Sequence, residues 1–120
     1  MRFGVVVVLF DPNEENINNL DQFNTLGVKV CAVDNSANDN VIPENYHYIH
    51  NNNQGGIAGA FNKGITFLLQ NGCDFIFTFD QDSVLPHNFL IRCRISYQRI
   101  MLKWSCQILL IQILELMLLL

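Results

Sequence analysis

The apolar run at positions 3–10, F-G-V-V-V-V-L-F, is the feature that most restricts what this chain can fold into. A nearly unbroken series of valine, leucine and phenylalanine is typical of a strand covered on both faces, as in a parallel sheet between helices. The run ends at Asp11-Pro12. That is too early for a signal peptide, or for a membrane span of about 20 apolar residues. We therefore predict a buried first strand.

Strand-like and helix-like segments alternate after this run. Residues 14–26 carry an apolar side chain at every third position, which predicts one amphipathic helix. Runs rich in β-branched or aromatic residues at 28–33, 46–50 and 74–80 predict three further strands. The apolar pattern of residues 57–71 predicts a second helix. The order β-α-β-β-α-β favours an α/β class with a mostly parallel sheet.

Composition excludes several classes of function. The net charge is −4 and no cluster of lysine or arginine is present, so a nucleic-acid partner is not expected. The four cysteines are irregularly spaced without a C-x-x-C pair, which argues against a zinc site or a disulfide framework. Reduced cysteines of this kind predict a reducing, cytoplasmic setting.

The last predicted strand ends in the sequence D-Q-D-S, with Asp80 and Asp82 one residue apart and a hydroxyl at Ser83. If the strand is buried, both acids lie at the carboxyl edge of the sheet, where open α/β sheets bind their ligands. Paired carboxylates suit Mg²⁺ or Mn²⁺, which usually also hold substrate phosphates. The alternative is an ordinary turn stabilised by side-chain to backbone hydrogen bonds.

Two other polar stretches follow the same logic. Asp34-Asn35-Ser36 ends the second predicted strand, and its carboxylate could accept the imide N–H of a uracil or thymine ring or a ribose hydroxyl. Gly55-Gly56 precedes a predicted helix, whose first N–H groups favour a diphosphate. The alternatives are an Asx turn and a glycine-rich turn, respectively.

In combination these stretches resemble a known family. V-V-V-L-F-D-P-N, V-D-N-S, N-x-G-G-I-A-G-A-x-N-x-G-I and G-x-D-x-I-x-x-x-D-Q-D-S occur in this order over residues 3–89. The pattern resembles the nucleotide-binding half of a family 2 glycosyltransferase, and D-Q-D-S is most similar to bacterial rhamnosyltransferases. The resemblance implies a Rossmann-like GT-A domain that binds a nucleotide-diphospho-sugar, spans residues 1–90 and is truncated.

The resemblance also implies site residues. The donor-binding set comprises Asp34, Asn35, Ser36, Gly56, Asn62 and Asp80. In it, Asp34 contacts the base of the donor nucleotide, and Gly56 and Asn62 shape the donor pocket. Asp82, with Asp80, would ligate a divalent cation, Mg²⁺ or Mn²⁺. No general base is assigned, because the family supplies it after the D-x-D pair, beyond the matching region.

The implied activity is an inverting, metal-dependent sugar transfer in surface polysaccharide synthesis. The donor implied is dTDP-rhamnose or a similar nucleotide sugar, and the acceptor is a glycan or lipid-linked glycan. The implied location is cytoplasmic, at the inner face of the cell membrane with peripheral membrane contact.

Residues 91–120 are unlike the family and are predicted to be an apolar tail. Our hypothesis is that they arise from out-of-frame translation or a truncated gene. The alternative function is an inactive remnant that binds nucleotide or self-associates through this tail. A nucleotidylyltransferase ranks last, because Asp11-Pro12-Asn13 is not the glycine-rich, basic loop of that class.

Overall fold

The computed structural model of the chain describes residues 2–103. In chain order its elements are β1 (Phe3–Leu9), α1 (Glu14–Asn19), α2 (Asp21–Asn24), β2 (Lys29–Asp34), β3 (His47–His50), α3 (Gly56–Gln70), β4 (Phe75–Asp80) and α4 (Phe89–Lys103). The described strands form a sheet in the order β3-β2-β1-β4, and each neighbouring pair is parallel. The predicted α/β class is confirmed, and the parallel sheet is compatible with a Rossmann-like arrangement.

Strand β1 occupies the interior of the sheet, as its composition predicts. It is buried along its whole length and pairs with β2 on one side and β4 on the other. Its register sets the carboxyl ends of both neighbours: Leu9 lies beside Asp34, and Val8 lies beside Asp80. The polar ends of β2 and β4 therefore reach the same edge of the sheet.

Helices cover both faces of the sheet. Gly64 of α3 lies so close to Val6 and Val33 that an added Cβ atom would overlap the Val6 side chain. On the opposite face, Phe23 of α2 contacts Phe79 of β4, with ring centroids 5.5 Å apart. The arrangement has three layers, with the apolar sheet between α3 and the α1–α2 segment.

The predicted helix over residues 14–26 is interrupted at Leu20, which separates α1 from α2. Backbone bonds of the i→i+3 type run from Leu20 to Ile17, from Phe23 to Leu20 and from Leu26 to Phe23. These bonds belong to turns of three residues, tighter than the 3.6 of an α-helix. The apolar side chains therefore recur every third residue along this segment, and those of Leu20 and Phe23 are buried.

The chain divides after Val84 into two compact units. In the second unit, the Phe89 N–H donates to the Pro86 carbonyl at the start of α4. Residues 91–103, the first part of the predicted tail, belong to α4. The rest of that tail, residues 104–120, lies outside the described residues. Within residues 2–103, no helix is long and apolar enough to span a membrane.

Candidate functional site at the carboxyl edge of the sheet

Asp34 and Asp80 flank the end of β1 but face opposite sides of the sheet. Asp34 is in register with Leu9 and Asp80 with Val8, and successive residues of a strand point to opposite faces. Val8 shares its face with Val6, which contacts α3. Asp80 therefore lies on the α3 side and is exposed, whereas Asp34 lies on the α1–α2 side.

The Asp34 carboxylate is fully buried, with a relative exposure of 0%. Its Oδ1 atom accepts hydrogen bonds from the backbone N–H and the hydroxyl of Ser36. Its Oδ2 atom accepts from Asn40 Nδ2 at 2.8 Å and from the Tyr48 hydroxyl at 2.7 Å. Each oxygen thus has two protein donors. A nucleotide base would reach this carboxylate only by displacing one of them, and the predicted base contact stays a prediction.

Two opposing effects act on the pKa of Asp34. Burial alone would raise it, but the hydrogen bonds from Ser36, Asn40 and Tyr48 together outweigh burial and lower the pKa below its ordinary value. Tyr48 responds in the opposite sense. Burial, and then its bond to the Asp34 carboxylate, raise the pKa of its hydroxyl to about 12. At neutral pH the tyrosine therefore donates and the carboxylate accepts.

Asn35 and Ser36 connect the end of β2 to two neighbouring loops. Asn35 Nδ2 donates to the Gly56 carbonyl at 3.2 Å, and Asn35 Oδ1 accepts from Asn51 Nδ2 at 2.6 Å. The Ser36 hydroxyl oxygen accepts from the Asp11 N–H at 2.7 Å. Both side chains are buried. The structure thus brings Asn35, Ser36 and Gly56 together through contacts that hold loops in place.

The segment before α3 has an unusual backbone that explains its composition. Asn52, Asn53, Gly55 and Gly56 all have positive φ values, between 48° and 70°. Asparagine and glycine are the residues that adopt this left-handed conformation most readily. The Gly56 N–H donates to the Asn53 carbonyl within the turn. That particular N–H is therefore already used, while the predicted diphosphate contact of the helix start stays a prediction.

Gln81, the middle residue of D-Q-D, joins the ends of β1 and β4. Its side-chain amide donates to the Phe10 carbonyl at 3.1 Å, and its Oε1 accepts from the Phe10 N–H at 2.9 Å. This pair of bonds continues the strand pairing beyond Asp80 by one residue. The Ser83 N–H then donates to the Asp80 carbonyl, which closes a turn around Asp82.

Three amide side chains of α1 and α2 also hold this turn, in addition to the bonds between Phe10 and Gln81. Asn16 Nδ2 donates to Asp82 Oδ1 at 2.8 Å. Asn19 Nδ2 donates to the carbonyls of both Gln81 and Ser83, at 3.0 and 2.9 Å. Gln22 Nε2 donates to the Ser83 carbonyl at 2.7 Å. We call Asn16, Asn19 and Gln22 the amide row.

A cleft of about 170 Å³ lies between α1 and the Asp82 turn. It is lined by Asn13, Glu15, Asn16, Asn19, Gln81, Asp82 and Val84. Among residues 2–103, no three histidine, cysteine, aspartate or glutamate side chains are grouped to hold a metal ion. Exposed Asp80 and Asp82 offer the hard oxygen atoms that Mg²⁺ and Mn²⁺ prefer. Oxygen atoms from a phosphate ligand would have to complete such a site.

Asn62 lies on a different surface. It is exposed on α3 and lines, with Ile49 and Phe67, a groove of about 370 Å³ beside β3. Its neighbour Lys63 donates to Gln54 Oε1 at 3.1 Å. The structure therefore does not bring Asn62 into the cleft beside Asp82.

The sequence interpretation missed the amide row, Asn40 and Tyr48. A signal for the amide row exists, because Asn16, Asn19 and Gln22 are spaced three residues apart and so form a polar row next to the apolar positions 17, 20 and 23. No comparable signal marks Asn40 or Tyr48. Asn40 reaches Asp34 through the folding of the intervening loop, and Tyr48 reaches it through the pairing of β3 with β2.

Comparison of the chain with protein-family models, curated proteins and solved structures produced no match.

Proposed function

We propose that this chain is the nucleotide-sugar-binding half of a family 2 glycosyltransferase with the GT-A fold. The observation that carries the proposal is the parallel register around β1. In this register β2 and β4 end at the same edge of the sheet, and Asp34 and Asp80 lie on either side of the end of β1. Asn35 links this edge to the glycine-rich start of α3. Open α/β sheets bind nucleotides at such an edge.

The donor in this proposal is a nucleotide-diphospho-sugar, with dTDP-rhamnose as the first choice. The acceptor is a glycan or lipid-linked glycan, and the enzyme works at the cytoplasmic face of the membrane with peripheral contact. These assignments depend on the resemblance of D-Q-D-S and its flanking motifs to bacterial rhamnosyltransferases. The reaction is an inverting transfer, and the general base is not assigned to any residue of this chain.

In this proposal the exposed carboxylates at the end of β4 bind the metal–diphosphate part of the donor. Asp82 would be the direct ligand of Mg²⁺ or Mn²⁺, with Asp80 as the second acid of the D-x-D pair. A divalent cation held there would offset the negative charge that develops on the leaving nucleoside diphosphate. Asn35, Ser36 and Asp34 would shape the base and ribose side of the pocket, mainly by holding residues 35–40 in place.

Thermal unfolding of the full chain with nucleotides and Mn²⁺ tests the proposal. We expect dTDP-rhamnose or UDP-sugars at millimolar concentration to raise the Tm, because a ligand that binds only the folded state stabilises it. Mn²⁺ should increase the shift, and Asp82→Ala should abolish the Mn²⁺-dependent part. Glu44→Ala is the matched control, since it removes one exposed carboxylate from the loop before β3.

The results that contradict the proposal are specific. Absence of a Tm shift with every nucleotide at millimolar concentration would argue strongly against nucleotide-sugar binding. A shift in Asp82→Ala that responds to Mn²⁺ as in the unaltered chain would show that Asp82 is not a metal ligand.

A further inference from the structure

The amide row, Asn16, Asn19 and Gln22, holds a turn that lies about 60 residues away along the chain. Its donors reach one side-chain oxygen of Asp82 and the backbone carbonyls on either side of it. The Phe10–Gln81 bonds hold the same turn from β1. A turn that carries an exposed carboxylate is thus fixed both at its backbone and at its side chain.

The chemical type of these donors is informative. A lysine or arginine at position 16 or 19 would neutralise Asp82 and compete with a bound cation. An amide donates a hydrogen bond without bringing a positive charge, so the carboxylate keeps its full charge. Asn16 uses Oδ1 of Asp82, which leaves Oδ2 as the natural atom for a metal ligand.

Asn19 holds the backbone of the turn on both sides of Asp82. It donates to the carbonyls of Gln81 and Ser83, the two residues that flank Asp82. These bonds limit rotation of the backbone on both sides of the carboxylate. Groups that orient a metal ligand through hydrogen bonds typically change metal affinity by 10- to 100-fold when they are removed.

We propose that the amide row positions Asp82 for a divalent cation, with Asn19 orienting the backbone of the turn and Asn16 orienting the carboxylate. This inference rests on the proposed function, because it requires Asp82 to bind the cation. Asn16 and Asn19 are positioning residues, since they act through the turn and not on the substrate.

The experiment compares Asn19→Ala with Asn18→Ala in the full chain. Asn18 is the same residue type in the same helix, is exposed, and is the matched control for the loss of an asparagine. Mn²⁺ affinity is measured at a fixed, saturating concentration of dTDP by electron paramagnetic resonance of the free ion. Affinity for dTDP is measured separately without metal, and circular dichroism verifies that each variant is folded.

We expect Asn19→Ala to weaken Mn²⁺ binding about tenfold, while dTDP binding without metal is unchanged and Asn18→Ala matches the unaltered chain. A general structural defect would weaken both affinities, and that result would overturn the inference. Unchanged Mn²⁺ affinity in Asn19→Ala would also overturn it, but would leave the proposed function intact. If the unaltered chain with dTDP does not bind Mn²⁺, the metal-dependent proposed function and this inference both fail.

A second pair of variants separates positioning from helix capping. Asn13 and Asn16 form a capping box, in which each side chain accepts from the other's backbone N–H. Asn13→Ala removes one bond of the box and leaves the bond to Asp82 in place, whereas Asn16→Ala removes the other bond of the box together with the bond to Asp82. Because Asn13 also lines the cleft, we expect a small loss of Mn²⁺ affinity in Asn13→Ala and a clearly larger one, roughly tenfold, in Asn16→Ala. Equal losses in the two variants would assign the effect to capping and contradict the inference for Asn16.

Discussion

A buried carboxylate with no exposed surface, Asp34, is the residue on which the candidate site depends most. Removing a carboxylate from water carries a large free-energy cost unless hydrogen bonds replace the lost hydration. Four donors from Ser36, Asn40 and Tyr48 do so here. Asp34 therefore couples the end of β2 to residues 36–40 and to β3.

Tyr48→Phe tests this coupling. The change removes a donor from a buried charged group, so we expect the free energy of unfolding to fall by about 2 kcal/mol at pH 7. The measurement is urea unfolding followed by circular dichroism. Tyr46→Phe is the matched control, because the Tyr46 hydroxyl donates to Asp21, an exposed carboxylate. The control should lose clearly less.

The difference in the free energy of unfolding between the unaltered chain and Tyr48→Phe should depend on pH in a defined direction. Hydrogen bonds lower the pKa of Asp34 in the folded state, so the stability they supply is present above the unfolded pKa of about 3.9. It disappears as the pH falls through the lower folded pKa. The difference between the unaltered chain and Tyr48→Phe should therefore shrink below about pH 4. A difference that is constant down to pH 2 would exclude the Asp34 carboxylate as its source.

At the scale of elements, two glycines of α3 are required for different steric reasons. A Cβ atom on Gly59 would overlap the carbonyl of Gln54, in the left-handed turn before the helix. A Cβ on Gly64 would overlap Val6 of the central strand. Only glycine allows the helix to lie this close to its own entry loop and to the sheet.

Gly59→Ala distinguishes this steric effect from helix propensity. Propensity alone predicts a gain of about 1 kcal/mol for alanine in a helix. Overlap with a backbone carbonyl predicts a loss of roughly 1–3 kcal/mol. We expect a loss, measured by urea unfolding. Thr66→Ala, on the exposed side of the same helix, is the control and should change stability only slightly. A stabilised Gly59→Ala variant would show that the loop before α3 moves to make room for the Cβ atom.

The elements that the sequence predicts well are those with a strong local pattern. The apolar run of β1 identifies a buried strand, because a strand covered on both faces needs apolar side chains. Gly27, before β2, marks the end of a helix, because its positive φ favours glycine. The division of residues 14–26 at Leu20 was not predicted, although the three-residue spacing is typical of i→i+3 turns.

The site was predicted only in part, for a physical reason. Acids at strand ends are predictable because parallel strands end at one edge. The donors that bind these acids are not predictable. In the sequence, an asparagine on the polar side of a helix is the same whether water or a distant turn accepts its hydrogen bond. Asn19 and Ser83 are 64 residues apart. Only the folded chain brings them together.

At the scale of the molecule, the described cysteines lie in the interior. Cys31, Cys73 and Cys93 are buried, and burial raises the pKa of each thiol, to about 12 for Cys31 and Cys93. Because the thiolate is the reactive form, these cysteines should be unreactive in the folded chain.

We expect a Cys106→Ser variant, in which only these three thiols remain, to react with an aromatic disulfide reagent over hours at pH 8. In urea all three should react within minutes. The measurement is the absorbance of the released thiolate, with the unfolded variant as the control for complete reaction. One thiol that reacts within seconds under native conditions would contradict the burial of that cysteine.

The position of β1 between β2 and β4 also has a consequence for biosynthesis. Arg2 and Asp74, which join the start of β1 to the start of β4, are 72 residues apart. At roughly 5–20 residues per second, the ribosome needs about 4–14 s to make this segment. During that time the most apolar strand of the protein lacks the neighbour that completes its hydrogen bonding. The nascent chain therefore depends on β2 and α3, or on a chaperone, to protect β1 from aggregation until β4 emerges.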